Sequence, residues 1–578
     1  MKYLAFDLET TTKDIHSCGL LGFALSVAPY KGYYIAYTDD ENYNKTVLET
    51  LKPLFEDASI EKIGHNLKFD IKVLKRYGIT VKGRIHDTMV ADYVLFPNRK
   101  KHGLKLLSIL HFNYKQIEFG DIAIGPQKNK TLVGVDLKKV TDYACEDVDQ
   151  TLQLYSHLVP QIYGKNLQEI YDLDCALVSV IADMENNGIT IDTLKVNAIA
   201  DDLTKDCERL LCEMQSYTKK TFNINSTKQL NEFLFNELQI NPIGSKGKNG
   251  LYSTSRKVLL RLTAQHPVIS KIIEYRGLVK VQKTFIPALG NINPVTGKLH
   301  TSINQTVTET GRLSSSNPNL QNIPSRTSGK RLREVFTASS PNHILIGADY
   351  SNIELRVMAA ISMDKTMIHS YKNGIDLHSL TAAKIFNKPF DTITKEQRNV
   401  GKIVNFGLIY GMSAHGLREN LFVNGGMDYS LEFCEQMIHD YFELYQGVAK
   451  CREELIYEAT INSYAQTLLG RKRPLKDINS LDPKKRENAK RLALNTPIQG
   501  TAADIIKIAM VNIHKRILSE NLQSKMILQV HDELLFDVPN DEAGYMSALI
   551  KYEMENAFTM IIPLEVELKT GSNWSETH

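Results

Sequence analysis

The stretch HILIGADYSNIELRVMAAIS, residues 343–362, does most to decide the fold of this chain. Its first six residues are largely apolar and predict a buried strand. Asp349 follows where that strand ends, and the apolar spacing after Asn352 predicts a helix. A carboxylate at the end of a buried strand is rigidly held, which suits a ligand. An ordinary turn aspartate is the simpler interpretation of this residue alone.

A second acid lies in KMILQVHDELLFDV, residues 525–538. The pattern predicts two strands joined tightly at His531–Asp532, so we expect Asp532 to project into the open at the tip. Asp349 and Asp532 are 183 positions apart, so only the fold can join them. By itself, Asp532 is also an ordinary turn aspartate.

Residues 395–413, KEQRNVGKIVNFGLIYGMS, have a helical pattern. Arg398, Lys402, Phe406 and Tyr410 recur at every fourth position and form one stripe on the helix. Two cations followed by two aromatic rings suit a nucleotide, because cations bind phosphates and rings stack on a base. The alternative is an amphipathic helix whose basic end reaches solvent while its aromatic end packs in the core.

The N-terminal stretch YLAFDLE predicts a strand, with Asp7 and Glu9 on the same face. Adjacent carboxylates repel each other unless a cation lies between them, and hard divalent cations take oxygen ligands. Taken one at a time, such acids are more often solvated. Two further pairs have a spacing of four residues on predicted helices: Asn66 with Asp70, and Tyr143 with Asp147.

Length and composition exclude several classes of protein. The chain has 578 residues, which corresponds to about three to four domains, and 43% of them are hydrophobic. These are globular values. No apolar run reaches the roughly 18 residues of a membrane helix, and the N-terminus does not resemble a signal peptide, so we expect an unexported, cytoplasmic protein. The seven cysteines form no CxxC pair and predict neither a zinc site nor a disulfide framework.

Bulk charge is uninformative about partners. The net charge is only +3, so nucleic-acid binding would have to come from local clusters of basic residues. The lysine-bearing polar stretch at 241–250, NPIGSKGKNG, breaks an otherwise helical region at 165–285 and predicts an exposed loop.

Taken together, DYSNIELR, the R-x3-K-x3-F-x3-Y-G stripe and QVHDEL resemble motifs A, B and C of family A DNA polymerases of the bacterial DNA polymerase I type. The ordered set D-x-E, N-x3-D and Y-x3-D resembles the DEDD superfamily of 3′→5′ exonucleases, in the variant with tyrosine in the last motif. Asn352 departs from the familiar DYSQIELR. Further matches follow in family order: TGRLSSSNPNLQNIP at 310–324, GIDLHSLTAA at 374–383, NTPIQGTAADIIK at 495–507 and GSNW at 571–574.

The resemblance implies a multidomain α/β and α+β fold, with an RNase H-like DEDD exonuclease domain followed by a right-hand polymerase. The chain starts directly at the exonuclease, so we expect no 5′-nuclease domain and favour a phage, organelle-type or otherwise standalone enzyme. The expected domains are the exonuclease (1–165), the thumb and the approach to the palm (166–300), the palm with motif A (301–364), the fingers with motif B (365–500) and the palm with motif C (501–578).

The resemblance also implies roles for individual residues. Asp349 and Asp532 would bind two Mg²⁺ ions, with Glu533 as a nearby support and Lys402 as the proton donor to pyrophosphate. The nucleotide would contact Arg398, Lys402, Phe406, Tyr410, His378, Glu354, Arg326 and Tyr350. Primer–template DNA would contact Arg312, Arg491, Asn495, Gln499, Gln529 and His531. In the exonuclease, Asp7, Glu9, Asp70 and Asp147 would hold two metal ions while Tyr143 orients the attacking water.

Two implied roles concern selection of the sugar. Glu354 would block a ribose 2′-hydroxyl. Phe406, in place of tyrosine, predicts poor use of dideoxynucleotides. The loop at 241–250 would lie at the thumb tip, against the DNA backbone.

The resemblance therefore implies a DNA-dependent DNA polymerase with 3′→5′ proofreading. Its cofactor would be Mg²⁺, two ions per active site, with Mn²⁺ as a substitute, and its partners primer–template DNA and dNTPs. We expect a monomer without membrane association, in a bacterial or phage-infected cell or an organelle, and leave an unidentified processivity factor open. Three alternatives are less favoured. A nuclease whose second half only grips DNA would require a broken C-terminal motif, and we find none. Glu354 and the fused exonuclease argue against a single-subunit RNA polymerase, and a non-enzymatic binding module would have little reason to carry both complete acidic clusters.

Overall fold

The first strand of the chain separates apolar from acidic side chains. Leu4, Phe6 and Leu8 pack into a core on one face, whereas Asp7 and Glu9 lie on the other. The computed structural model describes residues 2–127, 129–324 and 328–577. The first five strands are β1 (Tyr3–Thr10), β2 (Leu20–Ala28), β3 (Lys31–Ala36), β4 (Glu61–Gly64) and β5 (Ile85–Asp87). They form one sheet of order β3–β2–β1–β4–β5, in which β1, β2 and β3 are antiparallel and β4 and β5 continue parallel to β1.

Six helices surround this sheet. They are α1 (Glu41–Glu56), α2 (Lys68–Arg76), α3 (Thr88–Leu95), α4 (Leu104–Phe112), α5 (Phe119–Ile122) and α6 (Leu137–Gly164). Ala144, Val148 and Leu152 of α6 pack against Ala5 and Ala24 of the sheet. Small residues on the strands let α6 approach closely, so this helix lies over the acidic face of β1.

The next region is helical, as predicted, and has its own core. Leu210, Leu230, Leu259 and Ile272 are buried together there. The polar loop at 241–250 is exposed and carries no helix or strand. The helices are α7 (Gln168–Asn187), α8 (Thr193–Gln215), α9 (Thr227–Asn231), α10 (Arg256–Leu262), α11 (Val268–Lys280) and α12 (Ile286–Leu289), with π-helical turns at Glu232–Glu237 and Val281–Phe285.

The predicted strand at 343–348 is the centre of a second sheet. The later strands are β6 (Thr190–Ile191), β7 (Ser302–Asn304), β8 (Ser314–Ser316), β9 (Phe336–Thr337), β10 (His343–Tyr350), β11 (Tyr464–Gln466), β12 (Lys472–Pro474), β13 (Lys525–Val530), β14 (Glu533–Pro539) and β15 (Val566–Gly571). The second sheet has the order β13–β14–β10–β15 and is antiparallel throughout. The predicted hairpin around His531–Asp532 is therefore present as β13 and β14.

The remaining helices pack on this sheet or extend from it. They are α13 (Ser328–Arg333), α14 (Ile353–Ser362), α15 (Lys365–Lys372), α16 (Leu377–Phe386), α17 (Lys395–Ile409), α18 (Ala414–Gly425), α19 (Leu431–Leu444), α20 (Gln446–Asn462), α21 (Pro483–Ser519) and α22 (Ala543–Glu555), with 3₁₀ turns at Phe390–Thr392 and Trp574–Thr577. Both faces of the sheet are buried: Ile346 and Phe536 point toward α21 and α22, and Leu345 and Leu535 toward Trp574.

The structure differs from the sequence-based expectation in two details. α17 begins at a capping box formed by Thr394 and Gln397 but ends at Ile409, because Gly411 adopts a positive φ of 72° and turns the chain. The sequence predicts a long helix-rich section at about 365–515, and the β11–β12 hairpin interrupts that section at 464–474. No helix in the described ranges is long and apolar enough to cross a membrane.

α7 joins the two halves of the chain, since it packs on α2 and α3 as well as on α21 and β13. Asp174 of α7 is fully buried and pairs with Arg471 and Lys507, each at 2.8 Å. Arg471 also pairs with Asp504 at 2.8 Å. The charges of this cluster are mutually satisfied, which is the condition under which buried ions are tolerated.

Candidate functional site

Four carboxylates meet beside the first sheet. Asp7 and Glu9 project from β1 toward Asp147 on α6, and their charges act on one another. Asp70 lies on α2, where its Oδ1 accepts a hydrogen bond from the backbone N–H of Leu8 at 3.1 Å. Glu9 is 7% exposed, Asp70 3% and Asp147 6%. The structure brings the four N-terminal acids together in one buried cluster.

Burial and mutual repulsion make these carboxylates hard to ionise. Burial, followed by the charge of Asp147, raises the pKa of Asp7 to about 7, and burial raises the pKa of Asp147 to about 6. The pKa values of Glu9 and Asp70 are also well above their usual range, first through burial and then through the charge of Asp7. Oε1 of Glu9 is buried without a hydrogen-bond partner among the described residues. A divalent cation would satisfy this oxygen and offset the charge, so the cluster fits a metal with oxygen ligands.

Tyr143 lies one helical turn before Asp147 on α6, as its spacing predicts. Burial and then the Asp147 charge raise the pKa of Tyr143. Asn66 does not share a helix face with Asp70, because it adopts a positive φ of 61° ahead of α2. Tyr143 and Asp147 therefore share one face of a helix, whereas Asn66 and Asp70 do not.

A second acidic cluster forms at the end of β10. The sheet register pairs Asp349 with Glu533 on β14 and with Glu567 on β15. The backbone N–H of Tyr350 donates to the carbonyl oxygen of Asp532 at 3.3 Å. Antiparallel pairing thus brings together two acids that are far apart in the sequence.

The second cluster has the same electrostatic character as the first. Burial, then the charges of Asp532 and Glu567, raise the pKa of Asp349 to about 7. Burial raises the pKa of Glu533 to about 8 and also raises that of Asp532. Oδ1 of Asp349 is buried without a hydrogen-bond partner in the described part of the chain. These residues fit a divalent cation for the same reason as the N-terminal four.

The expectation that Asp532 projects into the open is wrong. Asp532 is only partly exposed and lines two adjoining cavities, whereas the neighbouring His531 is exposed.

The first cavity has a volume of about 310 Å³ and lies between the second acidic cluster and the α17 stripe, of which Arg398, Lys402 and Phe406 line it. Arg398 and Lys402 are exposed and Phe406 is half-buried, so neither a core-facing nor a purely solvated helix describes this face. The candidates that line this cavity are Asp349, Tyr350, Glu354, His378, Arg398, Lys402, Phe406 and Asp532.

Arg398 is already paired. Its Nε and Nη2 donate to the Asp376 carboxylate at 2.8 and 2.9 Å. Burial alone would raise the pKa of Asp376, but the hydrogen bonds from Arg398 and Ser379 lower it to about 2. Lys402 has no ion-pair partner among the described residues. Of the two cations, Lys402 is the one free to meet a ligand directly.

His378 is buried beside this cavity. Its Nδ1 lies 2.9 Å from Nδ2 of Asn405, and its ring centroid lies 5.9 Å from that of Phe406. Burial, assisted by the charges of Arg398 and Lys402, lowers the pKa of His378 to about 4. Its imidazole is therefore neutral at physiological pH and can exchange hydrogen bonds with a ligand.

A second cavity, of about 370 Å³, adjoins the first and shares Glu354, Phe406 and Asp532 with it. Gln529 is held there by Gln321, whose Nε2 donates to its Oε1 at 2.9 Å. The other predicted contact residues that line it are Arg312, Tyr410, Gln499 and His531.

Some predicted contacts lie elsewhere. Tyr350 lines the first cavity, but its ring is buried and its hydroxyl donates to the carbonyl oxygen of Met554 at 2.7 Å, so the hydroxyl is already occupied. Arg491 and Asn495 do not line either cavity. Arg491 donates a hydrogen bond to Asn488 at 2.9 Å, and Oδ1 of Asn495 is buried. Arg326 lies outside the described residues.

Sequence reasoning missed three residues near the two acidic clusters. Glu567 joins Asp349 through sheet register, which no local pattern reveals. The guanidinium of Arg333 lies 4.2 Å from the ring of Trp574, and Trp574 Nε1 donates to Glu533 at 3.0 Å. The single tryptophan of the chain could have been a signal, because a buried indole requires an acceptor. Lys105 forms an ion pair with Asp147.

Another group of potential metal ligands lies on α19. In the described residues, His439, Asp440 and Glu443 are the only three histidine, cysteine or acidic side chains whose ligand atoms all lie within 4.8 Å of one another. Glu443 is paired with Lys384 at 2.9 Å, and His439 and Glu443 are exposed. This group has the character of a solvated helix face.

Comparison with known proteins divides the chain into two matched regions. Residues 193–576 match the model of DNA polymerase family A, and residues 1–163 match that of a 3′-5′ exonuclease. The chain is 36% identical to DNA polymerase I of Rhizobium leguminosarum over all of its own length and 59% of that protein. It is 41% identical to the thermostable DNA polymerase I of Thermus filiformis over 75% of its length and 52% of that protein. The chain thus spans about three fifths of the length of the first curated relatives it matches.

Among solved structures, the chain is similar to the POL domain of Pol1 from M. smegmatis in complex with DNA primer-template and dNTP. The TM-score is 0.89 at 30% identity, and the match covers 100% of this chain and 96% of that one. The predicted succession of an exonuclease domain and a right-hand polymerase is confirmed by this match and by the family models.

Proposed function

Because the chain belongs to DNA polymerase family A and carries a 3′-5′ exonuclease domain at its N-terminal end, we propose that it is a DNA-directed DNA polymerase with proofreading. It would add dNTPs to a primer 3′ end under the direction of a template strand. It would remove mismatched ends at the N-terminal acidic cluster.

One observation carries the proposal. The cavity of about 310 Å³ is lined by Asp349 and Asp532 on one side and by Arg398, Lys402 and Phe406 on the other. Carboxylates for metal ions, cations for phosphates and a ring for the base and sugar are the three requirements of a nucleotidyl-transfer site. These residues come from three separate segments of the sequence.

In the polymerase site, Asp349 and Asp532 would hold the metal ions, and the buried Glu533 would support them from the neighbouring strand. Two Mg²⁺ ions, when bound, would activate the primer 3′-hydroxyl and stabilise the charge on the pyrophosphate. Lys402 would contact the triphosphate and donate a proton to pyrophosphate. Arg398 would do so only after exchanging its hydrogen bonds with Asp376 for phosphate oxygens.

The neighbouring side chains would orient the nucleotide. The neutral imidazole of His378 would hydrogen-bond to a phosphate oxygen, and Phe406 would pack on the sugar and base. Glu354 would exclude a 2′-hydroxyl, since its side chain lies between the two cavities and is held by Arg312. Arg312, Tyr410, Gln499, Gln529 and His531 would line the path of the primer–template in the second cavity.

In the exonuclease site, Asp7, Glu9, Asp70 and Asp147 would hold two metal ions that activate the attacking water and stabilise the leaving 3′-oxygen. Tyr143 would orient that water, because it lies one helical turn from Asp147 and is close enough for the acidic charges to add to the effect of burial in raising the pKa of its hydroxyl. Mg²⁺ is the proposed ion at both sites, with Mn²⁺ as a substitute. The proposed enzyme is a monomer that works in the cytoplasm without membrane association.

A single gel tests both activities. The protein is incubated with Mg²⁺ and a primer–template whose 3′ end is mismatched, with and without the four dNTPs. Shortening without dNTPs and full extension with them is the expected result. Asp532→Asn should abolish extension and keep shortening, whereas Asp147→Asn should abolish shortening and keep extension of a matched primer.

Other outcomes would favour the alternatives. Shortening without extension of a matched primer would indicate a nuclease whose C-terminal half only binds DNA. Extension with ribonucleotides in preference to deoxyribonucleotides would indicate an RNA polymerase. Retention of both activities in Asp532→Asn and Asp147→Asn would contradict the proposed sites.

A further inference from the structure

A lysine occupies the N-terminal acidic cluster. Lys105, the second residue of α4, forms an ion pair through Nζ with Oδ1 of Asp147. The same Nζ lies 4.4 Å from the centroid of the Tyr143 ring. The side chain of Lys105 is 21% exposed and that of Asp147 is 9% exposed. The ammonium group therefore reaches the cluster from its solvent side.

Asp147 differs from the other acids in its hydrogen bonds. Its Oδ1 accepts from Lys105 and also from Nε2 of Gln116 at 2.8 Å. Gln116 is itself buried and held by Ser108, whose hydroxyl donates to Oε1 at 2.8 Å. Oε1 of Glu9, by contrast, has no hydrogen-bond partner in the described ranges. The protein thus supplies its own donors to one carboxylate and leaves its neighbour unsatisfied.

The charge of Lys105 acts on more than its direct partner. Burial and neighbouring carboxylates raise the pKa values of Asp7 and Glu9, and Lys105 opposes that rise at both. One ammonium group therefore lies within the electrostatic field of three carboxylates. A divalent cation bound by the same carboxylates would be strongly repelled by the Lys105 ammonium while that group remains in contact with Asp147.

We propose that Lys105 is an internal counter-cation of the exonuclease cluster that competes with a divalent metal ion for Asp147. The proposal rests on the proposed exonuclease function. For Asp147 to ligate a metal through Oδ1, the ammonium must leave that oxygen, and its partial exposure gives it a path toward solvent. Lys105 would thereby set the metal concentration at which proofreading begins.

A purely structural role makes a different prediction. If Lys105 only ties α4 to α6, its removal should weaken the packing of these helices and leave metal affinity unchanged or lower. If it competes with the metal, its removal should raise metal affinity, because the metal no longer displaces a charge-assisted hydrogen bond. Metal binding itself distinguishes the two roles.

The test measures Mn²⁺ binding by electron paramagnetic resonance of the free ion. The full-length chain is used with Asp349→Asn and Asp532→Asn, so that binding at the polymerase carboxylates is suppressed. Lys105→Met keeps the length of the side chain and removes its charge. The matched control is Lys115→Met, which removes one charge from an exposed position next to Gln116 in the sequence.

We expect Lys105→Met to lower the Mn²⁺ dissociation constant about tenfold, which corresponds to about 1.4 kcal/mol. Lys105→Arg, which keeps the charge, and Lys115→Met should stay within about twofold of the parent. An unchanged or raised dissociation constant in Lys105→Met, with circular dichroism showing the native fold, would overturn the proposal. Lys105→Arg provides a second test if Lys105→Met does not fold. Because arginine keeps the positive charge, a tenfold lower Mn²⁺ dissociation constant in Lys105→Arg would also contradict competition by charge.

The same proteins are assayed for removal of a mismatched primer end across a range of Mn²⁺ concentrations. Lys105→Met should reach half-maximal shortening at a lower concentration than the parent. If the parent shortens DNA but all variants bind Mn²⁺ equally, only the inference about Lys105 fails. If the parent neither binds Mn²⁺ nor shortens DNA at any concentration, the proposed exonuclease function fails.

Discussion

Arg312 donates a charge-assisted hydrogen bond to Glu354, and the two side chains line the same cavity beside Asp532. Burial raises the pKa of Glu354, while the positive charge of Arg312 lowers it. Because Arg312 holds this side chain in place, Glu354 presents a fixed, bulky group at the position expected for the sugar of an incoming nucleotide.

Glu354→Ala should relax selection against ribonucleotides. Removing the side chain opens space for a 2′-hydroxyl, and we expect the ratio of kcat/KM for rNTP over dNTP to rise by roughly tenfold or more. Single-nucleotide extension with each substrate measures the ratio. Glu49→Ala, an exposed glutamate on α1, is the control and should leave it unchanged. An unaltered ratio in Glu354→Ala would mean that another group selects the sugar.

Phe406→Tyr should improve the use of dideoxynucleotides. Phe406 lines both cavities but offers no hydrogen-bonding group to the sugar. A tyrosine hydroxyl would supply a polar partner where the 3′-hydroxyl is missing, so discrimination against ddNTPs should fall by roughly tenfold or more. Chain-termination patterns at fixed dNTP to ddNTP ratios provide the measurement. Phe422→Tyr on α18 tests whether any added hydroxyl has this effect.

Lys402→Met should slow polymerisation and spare proofreading. Lys402 is exposed, faces the first cavity and has no ion-pair partner in the described part of the chain, so its removal leaves no buried charge behind. We expect the rate of single-turnover extension to fall by roughly 10²- to 10⁴-fold, as for loss of a general acid. Shortening of a mismatched primer by the same protein is the internal control. Equal loss of both activities would indicate a folding defect instead.

Asp174→Asn should destabilise both halves of the chain. The change leaves Arg471 and Lys507 fully buried with less compensating charge, and breaking a buried pair costs about 3–5 kcal/mol of unfolding free energy. Denaturant unfolding measures the loss. Asp202→Asn provides the control, because its ion pair with Arg331 is about half exposed and solvent screens such pairs strongly. Similar stability losses in the two variants would argue against this role for the buried cluster.

The contact between His16 and His300 should make stability depend on pH. Their rings lie 4.0 Å apart, and burial followed by the charge of His300 lowers the pKa of His16 to about 4. Burial also lowers the pKa of His300, with Lys298 and Lys72 adding to the effect and Asp14 opposing it. Between pH 6.5 and 4 the unfolded chain therefore binds more protons than the folded one, so stability is present above pH 6.5 and is lost as the pH falls.

His16→Gln removes one titrating group and should reduce this loss. The melting temperature of the parent and the variant is measured at pH 7.5 and pH 5, in the same buffer system. The difference between the two pH values should be smaller in His16→Gln. His439→Gln, an exposed histidine, should behave like the parent. An identical pH difference in all three proteins would contradict the prediction.

Much of the fold was readable from local patterns. The strands at β1 and β10, the hairpin around Asp532 and the helices α6 and α17 follow from periodicity within a few residues, which the backbone of each element imposes directly. The family resemblance carried by the motifs is confirmed by the family models over both halves of the chain. The individual residue roles stay predictions that the variants above test.

What only the tertiary structure decided is which side chains meet. Sheet register places Asp349 against Glu533 and Glu567, and packing turns Tyr350 inward to Met554. The closeness of Lys105 to Asp147 is likewise a product of how α4 lies on α6.

The sequence by itself determined most of the secondary structure around the two acidic clusters and the identity of their acids apart from Glu567, since these depend on the periodicity and chemistry of nearby residues. The tertiary structure decided how those acids are neutralised, as by Lys105 at Asp147, and which neighbours hold them. The physical reason is that pairing across sheets and helices depends on register and packing between segments that are distant in sequence, and one residue of register changes which side chains face each other.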